Sequence, residues 1–342
     1  MATPILGATL STTRLSLSEA RALLCRSFEA LGAPDSEAAV AAQVCLEAEM
    51  LGRATHGLRL VGNISREYVE GAARRAEVAV LRDTDSSAVV DGGFHLSPFV
   101  HDLAAGLARE KALATGIAVV GVKNAGVSGA LGVHAARIAQ SDLVAIAMNS
   151  SPSVVVAPGS AQPMLGTNPI AFALPRTVDY PLVLDMATSQ ISFNGVRVAL
   201  QRGEDLPASA AVDALGRPTR SAAAAVEADG RGRLLPFGGY RGFGLALIIE
   251  LLTAGNLSSA LGTDKLGPFA PEPSYFPGTY VAYRADLLAE PGSLQCRVDR
   301  LVAELSAGGA RVPGTSSAER RAKALATDTV VVDDKHLADL HP

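Results

Sequence analysis

Two side chains in this sequence are of the right type to move a proton. His56 lies in the stretch ATHGLR, and Asp185 closes the apolar run Leu182 to Leu184. Imidazole is the side chain best suited to give or take a proton near neutral pH. A carboxylate at the exit of a buried strand is costly to desolvate unless a cation or a hydrogen-bond donor meets it. Each also has a plainer reading. A His followed by Gly at a helix break is commonly a surface or capping residue, and Asp185 suits the N-cap of the segment after it. If the two meet, the carboxylate orients the ring and stabilises its cation. The other histidines, His95, His101, His134, His336 and His341, sit in helical or terminal contexts. No pair has H-x-x-x-H spacing, and Cys25, Cys45 and Cys296 form no C-x-x-C, so neither a metal site nor a redox dithiol is expected.

A nucleotide site of the common kind is not written here. The nearest approach to G-x-G-x-x-G is Gly126, Gly129 and Gly132, whose spacing differs and which no acidic strand end follows at the required distance. These glycines read as turn residues. There is no G-x-x-x-x-G-K-[ST].

The elements that must position His56 and Asp185 follow from periodicity. Ser16 and Glu19 have the spacing of a capping box ahead of an apolar stripe ending at Gly32 and Pro34. Asp35 or Ser36 caps a second helix to about Leu51, and a third stretch, 59–70, carries Val61, Ile64, Tyr68 and Val69. Residues 1–15 read as an irregular arm. From about Arg75 the pattern alternates: strands near 78–81, 88–90, 117–122 and 143–148, with helices from about 97 to 111 and through Ile138. The stretch 163–195 reads as loop, strand, turn, strand and loop, with a helix from about Ser189 to Arg202. Residues 208–233 suggest a surface loop with a short helix. Pro236 to Leu257 is a glycine-rich approach followed by a buried helix, and 262–278 is a proline-rich loop. A strand at 280–283, a helix at 293–306 and a final helix–strand–helix complete the chain.

Composition narrows the class. Hydrophobic residues make up 48% and charged residues 19% of the 342, which describes a folded globule. There is no Trp, so Ala, Leu and Val must fill the core. The net charge of −4 and scattered Lys and Arg do not suit nucleic-acid binding. The start lacks the pattern of a signal peptide, no apolar run is long enough to span a membrane, and a cytoplasmic location is expected.

Five segments in order resemble the malate/L-lactate/sulfolactate dehydrogenase family, which includes ureidoglycolate dehydrogenase, diketogulonate reductase and Δ1-piperideine-2-carboxylate reductase. They are THG at 55–57, LGTNPIAFALP at 165–175, LDMATS at 184–189, PFGGYRGFGLAL at 236–247 and VPG at 312–314. The resemblance implies an α/β protein with a non-Rossmann malate/L-sulfolactate dehydrogenase-like fold. A discontinuous helical, dimerising domain (1–76 and 245–342) would flank a central α/β cofactor-binding domain (77–244). It further implies a homodimer that binds NAD(H) or NADP(H), with His56 as proton donor to a carbonyl or imine and Asp185 as its partner. Cofactor contacts would come from Leu184, Asp185, Met186, Ala187, Thr188, Ser189, Tyr240, Arg241, Gly314, Thr315 and Ser316. Thr55, Arg59, Met148 and Thr167 would meet the substrate.

The sequence departs from the family pattern at several of these places. Thr55 stands for the usual Ser, and Leu60 for an Arg that would hold a substrate carboxylate. Val127, Ser128 and Gly129 stand for His-aromatic-Gly, Asn194 and Gly195 for Gly-Lys, Arg241 for Lys, and Thr315 for Glu. Losing an Arg–carboxylate pair removes the strongest polar anchor for a 2-oxo acid. The expected activity is therefore NAD(P)H-dependent reduction of a less usual C=O or C=N compound: a 2-oxo acid, a cyclic imino acid or a specialised analogue. Redox-neutral acid–base chemistry on the same scaffold and a non-catalytic dimeric binding protein are the alternatives. Arg241 or Arg197 could meet a 2′-phosphate, with a plain surface position the simpler reading of Arg197.

Overall fold

A computed structural model describes residues 11–227, 230–265, 276–338 and 340. In chain order its elements are β1 (Thr12–Ser16), α1 (Leu17–Glu29), α2 (Asp35–Met50), α3 (Val61–Glu70), β2 (Ala79–Leu81), β3 (Ser87–Asp91), α4 (Ser97–Thr115), β4 (Ile117–Lys123), α5 (Leu131–Ala139) and β5 (Leu143–Asn149). There follow β6 (Val155–Val156), β7 (Pro163–Leu165), β8 (Ile170–Leu174), β9 (Leu182–Met186), α6 (Phe193–Arg202), β10 (Ala211–Val212), β11 (Pro218–Thr219) and α7 (Tyr240–Glu250). The chain ends with β12 (Gly278–Arg284), α8 (Ser293–Ala307), α9 (Thr315–Thr327), β13 (Thr329–Asp333) and α10 (Asp334–Ala338).

Among the described residues the main sheet has seven strands in the order β2-β3-β4-β12-β5-β8-β9. Only β3 and β4 pair in parallel; the other neighbours are antiparallel. β5 is buried along most of its length, as expected of a strand covered on both faces. Ala104, Ala105, Ala108 and Ala112 of α4 pack on this sheet, and their small side chains let helix and sheet approach closely. A second core joins α1, α2 and α3 to β13 through Leu24, Phe28, Ile64 and Val332.

Three expectations change. Thr12–Ser16 is a strand, antiparallel to β13, not an irregular arm; its partner lies at the other end of the chain, where no local pattern reveals it. β12 lies in the middle of the main sheet, so residues 278–284 belong with the α/β body and not with a helical unit made of 245–342. The stretch 208–233 holds no helix among its described residues. Asp213 accepts from the backbone of Leu215 and Arg217 and shapes the turn between β10 and β11, and the alanine run after β11 stays a turn in which the Ser221 hydroxyl accepts from the Ala224 amide. The proline-rich loop falls largely on 266–275, outside the described residues.

The expected helix from Ser189 begins at Phe193, where Ser192 caps it by accepting from the Gly195 amide at 3.1 Å. The capping box of Ser16 and Glu19 is formed as the spacing predicts.

Candidate active site

α2 ends at Met50, and Gly52, at φ +72°, turns the chain into a tight turn, Ala54–His56. The His56 amide donates to the Arg53 carbonyl at 2.7 Å, which fixes the ring's base. The Thr55 hydroxyl lies 3.0 Å from Nδ1. When Nδ1 carries the ring proton and donates to that hydroxyl oxygen, the Nε2 lone pair is left to take up a proton and later return it. The Gly after His56 has a steric reason: a Cβ at Gly57 would sit 2.0 Å from Oε2 of Glu49, which accepts from the Leu58 amide.

Asp185 sits at the end of β9 and receives the Gly132 amide at 3.0 Å, from the first turn of α5. It therefore meets the N-terminus of a different helix from the one that follows it, where free amides and the helix dipole favour a carboxylate. Gly132 is needed for this approach, since a Cβ there would come within 2.9 Å of the Asp185 side chain. Burial holds the His56 pKa below its ordinary value; the Asp185 charge opposes that shift, and Arg53 adds to it. His56 and Asp185, far apart in sequence, are thus brought within electrostatic reach.

Two of the cavities that meet these groups are the larger ones. The first, of about 140 Å³, is lined by His56, Leu60, Glu67, Val127, Thr167 and Arg197, among others. The second, of about 340 Å³, is lined by Leu184 and Asp185, by Gly314 and Ser316 at the start of α9, and by Arg53, Arg311 and Arg320. Gly314 has φ +81°, and a Cβ there would lie 2.3 Å from the Val183 carbonyl, so only glycine lets α9 close on β9.

The remaining expected residues separate into groups. Thr167 lines the first cavity, and Thr55 touches His56. Arg59 instead bonds Gln201 of α6 at 3.2 Å, and Met148 packs with Ile170 and Ile249. Thr188 and Ser189 are buried and spend their hydroxyls on the Thr167 and Ile191 carbonyls. Met186 packs beside the Met148 cluster, and Ala187 is half-buried. Thr315 bonds the Val312 carbonyl, closing the turn into α9. Tyr240 and Arg241 stand exposed at the start of α7, the guanidinium 5.9 Å from the ring. Neither is among the residues lining the two cavities.

Glu67 escapes the sequence reading. It is buried on α3, lines the first cavity and accepts from the Val127 amide at 3.0 Å. Burial pushes its carboxyl up to about 7, against the Val127 amide and Arg66, which pull the other way. The signal was its position: Glu67 is three residues past Ile64, on the apolar stripe, whereas Val69 is exposed. Gly126 belongs to the same arrangement, because a Cβ there would meet Glu67 Oε2 at 2.1 Å.

Comparison with known proteins adds the family. The malate/L-lactate dehydrogenase family model matches residues 15–341. The chain belongs to this family. It is 38% identical to the (2R)-3-sulfolactate dehydrogenase (NADP(+)) of Chromohalobacter salexigens over 269 residues, 75% of this chain and 76% of that protein. It is 33% identical over 322 residues to the Δ1-pyrroline-2-carboxylate/Δ1-piperideine-2-carboxylate reductase of Pseudomonas syringae pv. tomato, covering 90% of each. The crystal structure of Δ1-piperideine-2-carboxylate reductase from P. syringae superposes with a TM-score of 0.84 at 29% identity, over 96% of this chain and 98% of that one. As a member of the family, the chain is an oxidoreductase acting on CH–OH or CH–NH, not a non-catalytic binding protein. No helix among the described residues is long and apolar enough to cross a membrane.

Proposed function

We propose that this protein interconverts a C=O or C=N compound and its reduced form with NAD(P)(H), and that His56 exchanges the proton. The observation that carries this reading is the position of His56: on one cavity, hydroxyl-bonded at Nδ1, and within reach of the Asp185 charge that borders the second. The second cavity suits a dinucleotide. Its three arginines and the start of α9 favour phosphate groups, and the glycine that opens α9 keeps the approach narrow. Leu184, Asp185, Gly314 and Ser316 would hold the cofactor there, and the nicotinamide would supply or accept the hydride. Thr55 fixes the His56 tautomer, and Asp185 favours the imidazolium that forms whenever His56 takes a proton. Because burial keeps His56 neutral more readily than a free imidazole, proton acceptance during oxidation is favoured at neutral pH, and proton donation during reduction gains as pH falls.

We also propose that the protein is a homodimer. Leu247, Ile248, Leu251 and Leu252 expose apolar surface along α7 and its extension, and a second copy would cover it.

The test begins with calorimetric titration of NADH and NADPH, separately. Micromolar binding of either is expected, and His56→Ala should keep that affinity while lowering turnover by about 10²- to 10⁴-fold. Undiminished turnover in that variant removes His56 from the reaction.

A further inference from the structure

The first cavity carries charges that the proton-exchange chemistry does not use. Arg66 of α3 and Arg197 of α6 both line it, beside His56. Leu60, four residues past His56, lines it as well but is apolar and fully buried, so that position offers an anion nothing. Arg197 reaches Asn63 of α3 through its Nη1 at 3.3 Å, which ties the two helices together at the cavity. Burial holds the Arg197 guanidinium below its ordinary pKa, and the nearby charges of Arg66 and Arg59 push the same way. Guanidinium groups crowded around a partly desolvated cavity favour an anionic occupant. Two carboxylates stand near. Glu70 is 4.0 Å from Arg66 along the same helix, and Glu67 lines the cavity itself with Oε2 fixed by the Val127 amide.

We propose that Arg66 and Arg197 seat a single anionic group of the substrate, and that Glu67 disfavours substrates carrying a second one. This rests on the oxidoreductase reading of the same cavity and names its substrate class: a small monoanion whose remainder is neutral or carries a hydrogen-bond donor. The physical basis is that a buried carboxylate repels a second carboxylate or sulfonate brought beside it, whereas it accepts a hydrogen bond from a donor.

The probes are oxamate, a monoanion, and malonate, a dianion, titrated calorimetrically at pH 8 into the full-length protein with and without saturating NADH or NADPH. The wild type should bind oxamate at least about tenfold tighter than malonate. Arg197→Gln should weaken oxamate about tenfold or more, and Arg66→Gln by a smaller factor, as expected when a charge-assisted hydrogen bond is lost. Glu67→Gln keeps a carbonyl for the Val127 amide. It should strengthen malonate more than oxamate and bring malonate to within about threefold of it. Melting temperatures identify any variant that fails to fold, and Arg197→Lys should then recover part of the oxamate affinity. Full oxamate affinity in folded Arg197→Gln and Arg66→Gln overturns the seat, and an unchanged oxamate-to-malonate ratio in Glu67→Gln overturns the selector. Failure of the wild type to bind either probe overturns both. Separate titration of the nicotinamide cofactors reports on the oxidoreductase reading independently of these outcomes.

Discussion

Glu67 shows how much one residue can decide. Its carboxyl is lifted from 4.5 to about 7 by burial, so between those pH values the folded protein binds more protons than the unfolded chain. Stability from this group is therefore present at low pH and is lost as pH rises toward 7. Glu67→Gln keeps the amide partner for Val127 and removes the titration. The variant is expected to be more stable than wild type at pH 8 by about 1–3 kcal/mol, with the advantage fading toward pH 4.5. Urea denaturation at several pH values measures it; parallel curves for the two proteins would show that Glu67 is not held neutral. At the same scale His56 and Asp185 were legible as candidate groups because their types and local settings suit proton transfer. Glu67 is not legible in this way, because a charged residue next to an apolar stripe carries no local sign that it is buried on it.

At the scale of elements, the site depends on how β9, α5 and α9 converge. β9 delivers Asp185, α5 presents the Gly132 amide to it, and α9 closes on Val183 through Gly314. Gly314→Ala would force a Cβ against the Val183 carbonyl at a positive φ. It should destabilise the fold by about 1–3 kcal/mol and weaken NAD(P)H binding, measured by thermal denaturation and calorimetric titration. Unchanged cofactor affinity in a folded variant would separate α9 from the cofactor cavity. The start of α1 was readable from its capping box, whereas α2 is not capped by Asp35 or Ser36: Pro34 precedes it and Asp35 is already its first helical residue. The start of α6 was not readable, because Ser189 is tied to the Ile191 carbonyl and the capping role passes to Ser192.

At the scale of the whole molecule, the exposed apolar strip of α7 and its continuation sets the expected assembly. Ile248→Glu combined with Leu251→Glu places charge on that strip and should convert a dimer into a monomer, read by light scattering. A wild type already monomeric at micromolar concentration would refute the dimer. The long-range pairings belong to this scale too: β1 joins β13 from the opposite end of the chain, and β12 enters the sheet between β4 and β5 after a long excursion.

By itself the sequence determined the alternation of helices and strands, the lack of an ordinary dinucleotide fingerprint, the family pattern, and His56 and Asp185 as candidate groups for proton transfer. These follow from periodicity, residue chemistry and the order of short segments. Only the tertiary structure decided that Asp185 meets α5 instead of the helix after it, that Arg197 faces the His56 cavity, that Arg59 turns aside to Gln201, and that Glu67 is buried there. The reason is physical. A side chain's partner, exposure and electrostatic setting depend on residues far along the chain, and local patterns carry no record of which distant backbone or charge will arrive beside it.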